Sequence, residues 1–241
     1  MKEIFLTTED NIKIALNHYN NNRDEVVIVA HGWFMTKDSN AFKQISEEFF
    51  KHFDVITLDF RGHGKSAGFY TFTSKEIFDL KTVVDYAKEK YSKIYLAGFS
   101  LGGALVLIHS AKFSDIDKII AVSAPSDFDK IENQIWKKEA FIPTFKKIEL
   151  KRWFSVRPSV IIRKKIKPID IIDKITVPTL FVAGKKDPTV HFWHTQKLYE
   201  KAVCPKQFEL FENGIHAEDL YLDEPERFMN LCINFLKSQD A

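Results

Sequence analysis

Between Ile94 and Ala111 the chain reads IYLAGFSLGGALVLIHSA, and its character changes within five residues, Gly98-Phe99-Ser100-Leu101-Gly102. An apolar run of strand character gives way there to a run of helix character. So abrupt a reversal forces the central residue into a strained backbone conformation and leaves no room for side chains at the flanking positions, which explains a glycine on either side. The serine is then held at the carboxyl end of the strand. The Leu101 amide, at the start of the following helix, points toward the same space.

The same alternation of strand and helix runs through most of the sequence. Apolar alternation or short apolar runs bounded by Gly, Asn, Asp or Pro predict strands at Glu3–Thr8, Ile12–His18, Val26–Ala30, Val55–Asp59, Ile94–Gly98, Lys118–Ser123, Thr179–Ala183 and Gln207–Phe211. Between them lie helix-period stretches: SNAFKQISEEFFKHF, TSKEIFDLKTVVDYAKEKY with Thr73 or Ser74 as N-cap, LGGALVLIHSAKF, VHFWHTQKLYEKA, and PERFMNLCINFLKS with Pro225 in its first turn. Two strands followed by strand and helix in turn predict an antiparallel entry into a mostly parallel eight-stranded sheet covered on both faces, a three-layer α/β/α sandwich.

One segment breaks the alternation. From 126 to 174 there is no convincing strand, and Pro143, Pro158 and Pro168 interrupt the helical spacing. A connection this long in a compact domain is usually a lid or a binding element, so the division is a core of residues 1–125 and 175–241 with a small cap at 126–174.

At 241 residues the chain suffices for one domain with a complete core, and 45% hydrophobic with 28% charged residues is the balance of a globular protein rather than a disordered or fibrous one. A net charge of +2 gives no reason to expect a nucleic-acid partner. Cys204 and Cys232 stand far apart with no CxxC or Cys/His pattern, so neither a disulfide framework nor a zinc site is expected. With no spanning segment and no signal-like apolar run, the expected setting is the cytoplasm. The oligomeric state, monomer or dimer, is left open. The cap is rich in Lys and Arg, which suits either a solvated face or attraction of anionic substrates or lipid.

A serine hydroxyl is a weak nucleophile unless a base takes its proton, and the base needs a carboxylate to fix its tautomer. Asp187, in GKKDPTV after the strand TLFVAG, and His216, in NGIHAED after the strand QFELF, supply both, each at the carboxyl end of a predicted strand. Asp127, in SAPSDFD, opens the inserted segment and suits a helix cap. Asp59, Arg61 and His63 in DFRGHGKS read as loop scaffolding, and His109 as a packed helix residue. His191 and His194, three apart on a predicted helix, are too few for a metal site, and no metal or other cofactor is expected.

The chain resembles the α/β-hydrolase superfamily over nearly its whole length, through VIVAHGWF (Val27–Phe34), LDFRGHGKS (Leu58–Ser66), GFSLGG (Gly98–Gly103), VAGKKDPTV (Val182–Val190) and NGIHAED (Asn213–Asp219). It is most similar to small bacterial carboxylesterases with a compact cap. The resemblance implies the α/β-hydrolase fold, a Ser100–His216–Asp187 triad, with Asp127 at the less favoured position where some members carry the acid, and an oxyanion hole completed by the Trp33 amide beside that of Leu101. Phe34, Ile131, Ile135, Trp136, Phe141 and Ile142 are candidates to line the acyl pocket. The expected reaction is hydrolysis of small to medium, fairly apolar esters through an acyl-enzyme, with a small-molecule ester as the partner. Thioesterase, monoacylglycerol lipase, C–C bond hydrolase, aminopeptidase and perhydrolase activities share the triad, and a non-catalytic ligand receptor shares the fold.

Overall fold

The computed structural model describes residues 1–71, 73–131, 138, 156–159 and 165–238. Eight strands form one sheet: β1 (Lys2–Thr7), β2 (Lys13–Tyr19), β3 (Glu25–Ala30), β4 (Asp54–Leu58), β5 (Lys93–Phe99), β6 (Lys118–Val122), β7 (Thr179–Gly184) and β8 (Lys206–Phe211). Their spatial order is β1-β2-β4-β3-β5-β6-β7-β8. The β1–β2 and β2–β4 pairs are antiparallel and every other pair is parallel. The α-helices bounded within the described residues are α1 (Asn40–Phe50), α2 (Glu76–Lys88), α3 (Leu101–Phe113), α4 (Trp193–Lys201), α5 (Asp219–Asp223) and α6 (Pro225–Lys237).

The period of two along each strand builds two cores. Val26, Ile28 and Ala30 of β3 face one side, against Leu80, Val83 and Val84 of α2 and Leu105 of α3. Val27 and Val29 face the other side, against Phe42, Ile45 and Phe49 of α1 and Phe228, Cys232 and Leu236 of α6. A strand buried on both faces needs apolar residues at every position, and this explains the unbroken run VVIVA. It is an α/β/α sandwich with a mostly parallel sheet.

The chain runs from β3 outward to β4 and then returns to place β5 on the other side of β3. Where strand order reverses like this, the loops leaving the carboxyl ends of the two strands diverge and leave a crevice between them. The loop after β3 and the turn after β5 are those carrying HGWF and GFSLG.

The N-cap expectation for α2 is corrected. The helix starts at Glu76, and Thr73 lies two residues before the cap position with φ of 76°. Thr71 organises the start instead: its Oγ1 accepts from the Lys75 amide, and the Glu76 carboxylate accepts from the Thr71 amide and hydroxyl. The Glu76 side chain reaches back over the turn and holds Thr71 in place, and no side chain among the described residues caps the first helical amides themselves. His191 also departs from its expected place, since α4 begins only at Trp193.

The loop 59–71 is braced from within. Asp59 accepts from the Lys37 and Lys65 amides at 2.7 and 2.9 Å. Arg61 bridges the Asp10 carboxylate, at 2.7 and 2.8 Å, and the Asp79 carboxylate, at 2.9 and 2.7 Å. Onto this loop docks the described segment 156–159. Arg157 N donates to Gly62 O (2.7 Å), Tyr70 N to Arg157 O (2.8 Å) and Ser159 N to Tyr70 O (2.7 Å), while the Arg157 guanidinium reaches the Ser66 and Gly68 carbonyls. At the ends of the inserted segment, Ile169 N donates to Ser126 O (3.1 Å) and Lys167 pairs with Asp127 (3.1 Å).

His63 gives the loop a pH dependence. It is fully buried, donates from Nδ1 to the Arg61 carbonyl (3.1 Å) and packs between the His31 and Tyr70 rings. Burial, reinforced by the Arg157 charge, pushes its pKa down to about 4, against the raising effect of the Arg61 carbonyl. The folded state therefore holds fewer protons here than the unfolded state, in which the imidazole titrates near its ordinary value of 6.5. The stabilisation is whole above pH ~6.5 and is lost as pH falls toward about 4, by which point the loss is about 3 kcal/mol. Asp59, pushed up to about 6 by burial, works in the opposite direction. A comparison between variants isolates the histidine: between pH 7 and pH 4, His63→Asn is expected to lose about 3 kcal/mol less unfolding free energy than the parent, as read from denaturant titrations.

Candidate functional site

The Gly98 to Gly102 turn connects β5 to α3 with no intervening loop. Ser100 sits at its apex with φ of 52° and ψ of −113°, a combination that L-residues seldom hold without support. The support is bilateral: Ser100 N donates to Val122 O at the end of β6 (2.8 Å), and Ser100 O accepts from Ala104 N inside α3 (3.1 Å). A Cβ on Gly98 would overlap the Gly102 carbonyl, and one on Gly102 would overlap the Ala30 carbonyl at the end of β3. Both glycines are needed for close backbone approach, as the sequence suggested.

Ser100, half-buried, accepts or donates a hydrogen bond at 2.9 Å with His216 Nε2. His216 Nδ1 lies 2.6 Å from Asp187 Oδ2, and the Asp187 side chain is almost fully buried. The other carboxylate oxygen, Oδ1, accepts from the Thr189 and Val190 amides at 2.8 Å each. With Oδ1 saturated by two backbone donors, Oδ2 is left to receive Nδ1–H, which leaves Nε2 as the acceptor facing Ser100. These three side chains, scattered over the sequence, form one hydrogen-bonded line.

Asp127 takes no part in that line as far as its bonds go. Its Oδ1 caps the short 3-10 turn Phe128–Lys130 through the Asp129 amide (3.1 Å), and its carboxylate pairs with Lys167. His194 is buried against Ser126, whose hydroxyl lies 2.8 Å from Nδ1 and whose amide donates to it. Burial lowers its pKa to about 4, keeping it neutral. His109 is buried on α3 and pairs with Asp115 (2.8 Å).

Facing the elbow is the loop after β3. His31 donates from Nδ1 to the Gly32 carbonyl (2.7 Å) and accepts at Nε2 from the Phe60 amide (3.2 Å), and these bonds set the loop's direction. A Cβ built on Gly32 would come within 3.3 Å of the Ser100 Cβ, so this backbone lies directly beside the serine. Phe34 closes the turn with φ of 61°, with its ring 4.3 Å from that of Trp33. Trp33 also stacks on Tyr70, at 6.2 Å between centroids. The Leu101 amide is the first of α3, where no intrahelical carbonyl is in reach. Of the other expected lining residues, Ile131 is buried at the end of the Phe128–Lys130 turn, and Ile135, Trp136, Phe141 and Ile142 lie outside the described residues.

The arrangement can be set beside known proteins. A family model for the alpha/beta hydrolase fold matches residues 25–140. An esterase of Pyrococcus furiosus superposes with a TM-score of 0.81 at 28% identity, covering 98% of this chain and 89% of that one. The chain has the α/β-hydrolase fold. The human serine hydrolase BPHL is 26% identical over 270 residues, 97% of this chain and 88% of that protein. The uncharacterised Bacillus subtilis protein YqkD is 30% identical over 199 residues, and this chain spans 64% of its length.

Two contributors to the site carry no signal in the sequence. Tyr70 reaches the Trp33 ring from a loop that nothing in the local pattern ties to the elbow. Ser123, at the end of β6, accepts from the Ala217 amide next to His216 (3.1 Å). No helix among the described residues is long and apolar enough to cross a membrane.

Proposed function

We propose that the protein is a serine hydrolase that cleaves carboxylic esters through an acyl-enzyme. The observation that carries this reading is the line Asp187–His216–Ser100, with bonds of 2.6 and 2.9 Å, on a serine held at a strained apex. The likeness to an esterase of known structure and to a serine hydrolase supports it. In the first half-reaction His216 Nε2 takes the Ser100 proton as Oγ attacks the ester carbonyl, and Asp187 stabilises the imidazolium. His216 then gives that proton to the departing alcohol. Water attacks the acyl-enzyme by the same route and releases the acid and Ser100.

The negative charge that forms on the carbonyl oxygen is received by the amides of Leu101 and Trp33, donors fixed in advance by a helix start and a tight turn. Each such donor is worth about 3–4 kcal/mol in the transition state. The Trp33 and Phe34 rings supply the apolar wall nearest the acyl group. The segment 126–174 is the cap that completes the pocket, which suits small to medium, fairly apolar acyl chains.

An alkyl phosphonate probe tests the reading. It is expected to label the folded protein at Ser100, as located by peptide mass spectrometry, and to leave Ser100→Ala unlabelled. Equal labelling of both proteins rejects it. A panel of aryl esters of graded acyl length, run beside acyl-CoA thioesters, aminoacyl amides and a C–C bond substrate, is expected to show fastest turnover on esters. Faster turnover of another class reassigns the substrate while keeping the nucleophile.

A further inference from the structure

We infer that Ser123 is a positioning residue for His216, acting through the amide of Ala217; the inference rests on His216 being the general base. Ala217 follows His216 with φ of 50°, a left-handed conformation unfavourable for alanine, and it is fully buried. Its N–H therefore lies in the interior, where an unmet donor would be strongly disfavoured. The Ser123 hydroxyl, itself buried, accepts from it at 3.1 Å across 94 residues of sequence.

Ser123 is a firm base for this bond. It ends β6 with φ of 47°, and its own amide donates to Val182 O on β7 (2.8 Å). The neighbouring backbone is held from the other side. Lys186 N, one residue before Asp187, donates to Gly214 O (3.0 Å), and Asp219 N donates to the His216 carbonyl (3.0 Å). The Ile215 carbonyl lies so close to Gly184 that no Cβ would fit between them. The loop around His216 is therefore clamped between the end of β7, which also carries Asp187, and the end of β6, where Ser123 is the attachment.

Imidazole function depends on two bonds in opposite directions at once, and a shift of the Cα by a fraction of an ångström worsens both. Without the Ser123 hydroxyl the Ala217 amide must seek another acceptor, and the backbone that carries His216 moves with it. Stability alone would be a sufficient reason for a buried hydroxyl, so the test must separate stabilisation from positioning. The φ of Ser123 allows this, because glycine is at ease at 47° where alanine is not. Ser123→Gly removes the hydroxyl while easing the backbone, whereas Ser123→Ala removes the hydroxyl alone.

Both variants are expected to lower kcat on the best ester by about 10- to 100-fold with KM within about twofold of the parent. Ser123→Gly is expected to keep its thermal midpoint near that of the parent. In both, the NMR signal of the His216 Nδ1 proton is expected to move upfield or broaden, and the imidazole pKa to shift, as the bond to Asp187 loosens. The inference is overturned if kcat and the His216 signal stay at parental values in both variants. It is overturned equally if Ser123→Gly regains full kcat along with its stability. The NMR comparison needs no substrate, so a parent without ester turnover rejects the ester reading, and one that the phosphonate probe does not label rejects the hydrolase reading, while the Ser123 contact is still tested.

Discussion

Ser100→Ala is expected to lower kcat for the best ester by on the order of 10^6-fold, the scale at which removal of a triad nucleophile acts elsewhere. On the proposed mechanism, what remains is the contribution of binding and of the Leu101 and Trp33 amides. Single-turnover assays check this through loss of the acyl-enzyme burst. The same position carries a stability prediction of opposite sign. Ser100 holds φ of 52° with ψ of −113°, and an alanine at that apex is strained in the same way. A glycine is not. Ser100→Gly is therefore expected to be as inactive as Ser100→Ala yet more stable than the parent by about 1 kcal/mol, read from the denaturant midpoint at unchanged slope. The strain is held by the bonds to Val122 and Ala104 and, on the proposed reading, presents the hydroxyl.

Asp187→Asn is expected to reduce kcat by about 10^4-fold, while Asp127→Asn changes it by no more than a few-fold. The reason for the first lies in the two backbone donors. The Thr189 and Val190 amides both point at Oδ1, so an asparagine must turn its carbonyl oxygen toward them and its NH2 toward His216. Nδ1 then becomes an acceptor, the proton moves to Nε2, and the imidazole can no longer take a proton from Ser100. Geometry survives while the tautomer is wrong. Asp127, by contrast, is occupied by the Asp129 amide and Lys167, and its amide analogue leaves His216 untouched. A larger loss in Asp127→Asn than in Asp187→Asn would reverse the assignment of the acid.

The sheet was legible in the sequence because strands buried on both faces must be apolar at every position. VVIVA and TLFVAG announce themselves in that way, and the eight predicted strands match the observed ones to within a residue or so at each end. The elbow was legible because its glycines are forced by backbone contacts, which no other residue satisfies. The start of α2 was not, because no side chain among the described residues caps it and it is braced by Thr71 and Glu76 from positions that a scan for a single Ser or Thr misreads. His191 was placed on a helix by apolar spacing, although α4 begins two residues later. Tyr70 and Ser123 were invisible for a further reason. Each acts on a loop far away in sequence, and such pairings depend on how strands are ordered in space rather than on any local pattern.

The hydrogen bond from Ile169 to Ser126, with the Lys167–Asp127 ion pair beside it, has a consequence for how such a protein can diversify. It joins the two ends of the inserted segment at the rim of the sheet, so the chain between them is a closed loop whatever its length. The entropy of closing a loop grows only logarithmically, and doubling the number of residues costs roughly 0.6 kcal/mol. Shortening or lengthening the chain between Ser126 and Ile169, on either side of the 156–159 segment that docks on loop 59–71, therefore places little load on the sheet. On the proposed reading, the chemistry can stay constant while the choice of acyl group is rewritten between these anchor points.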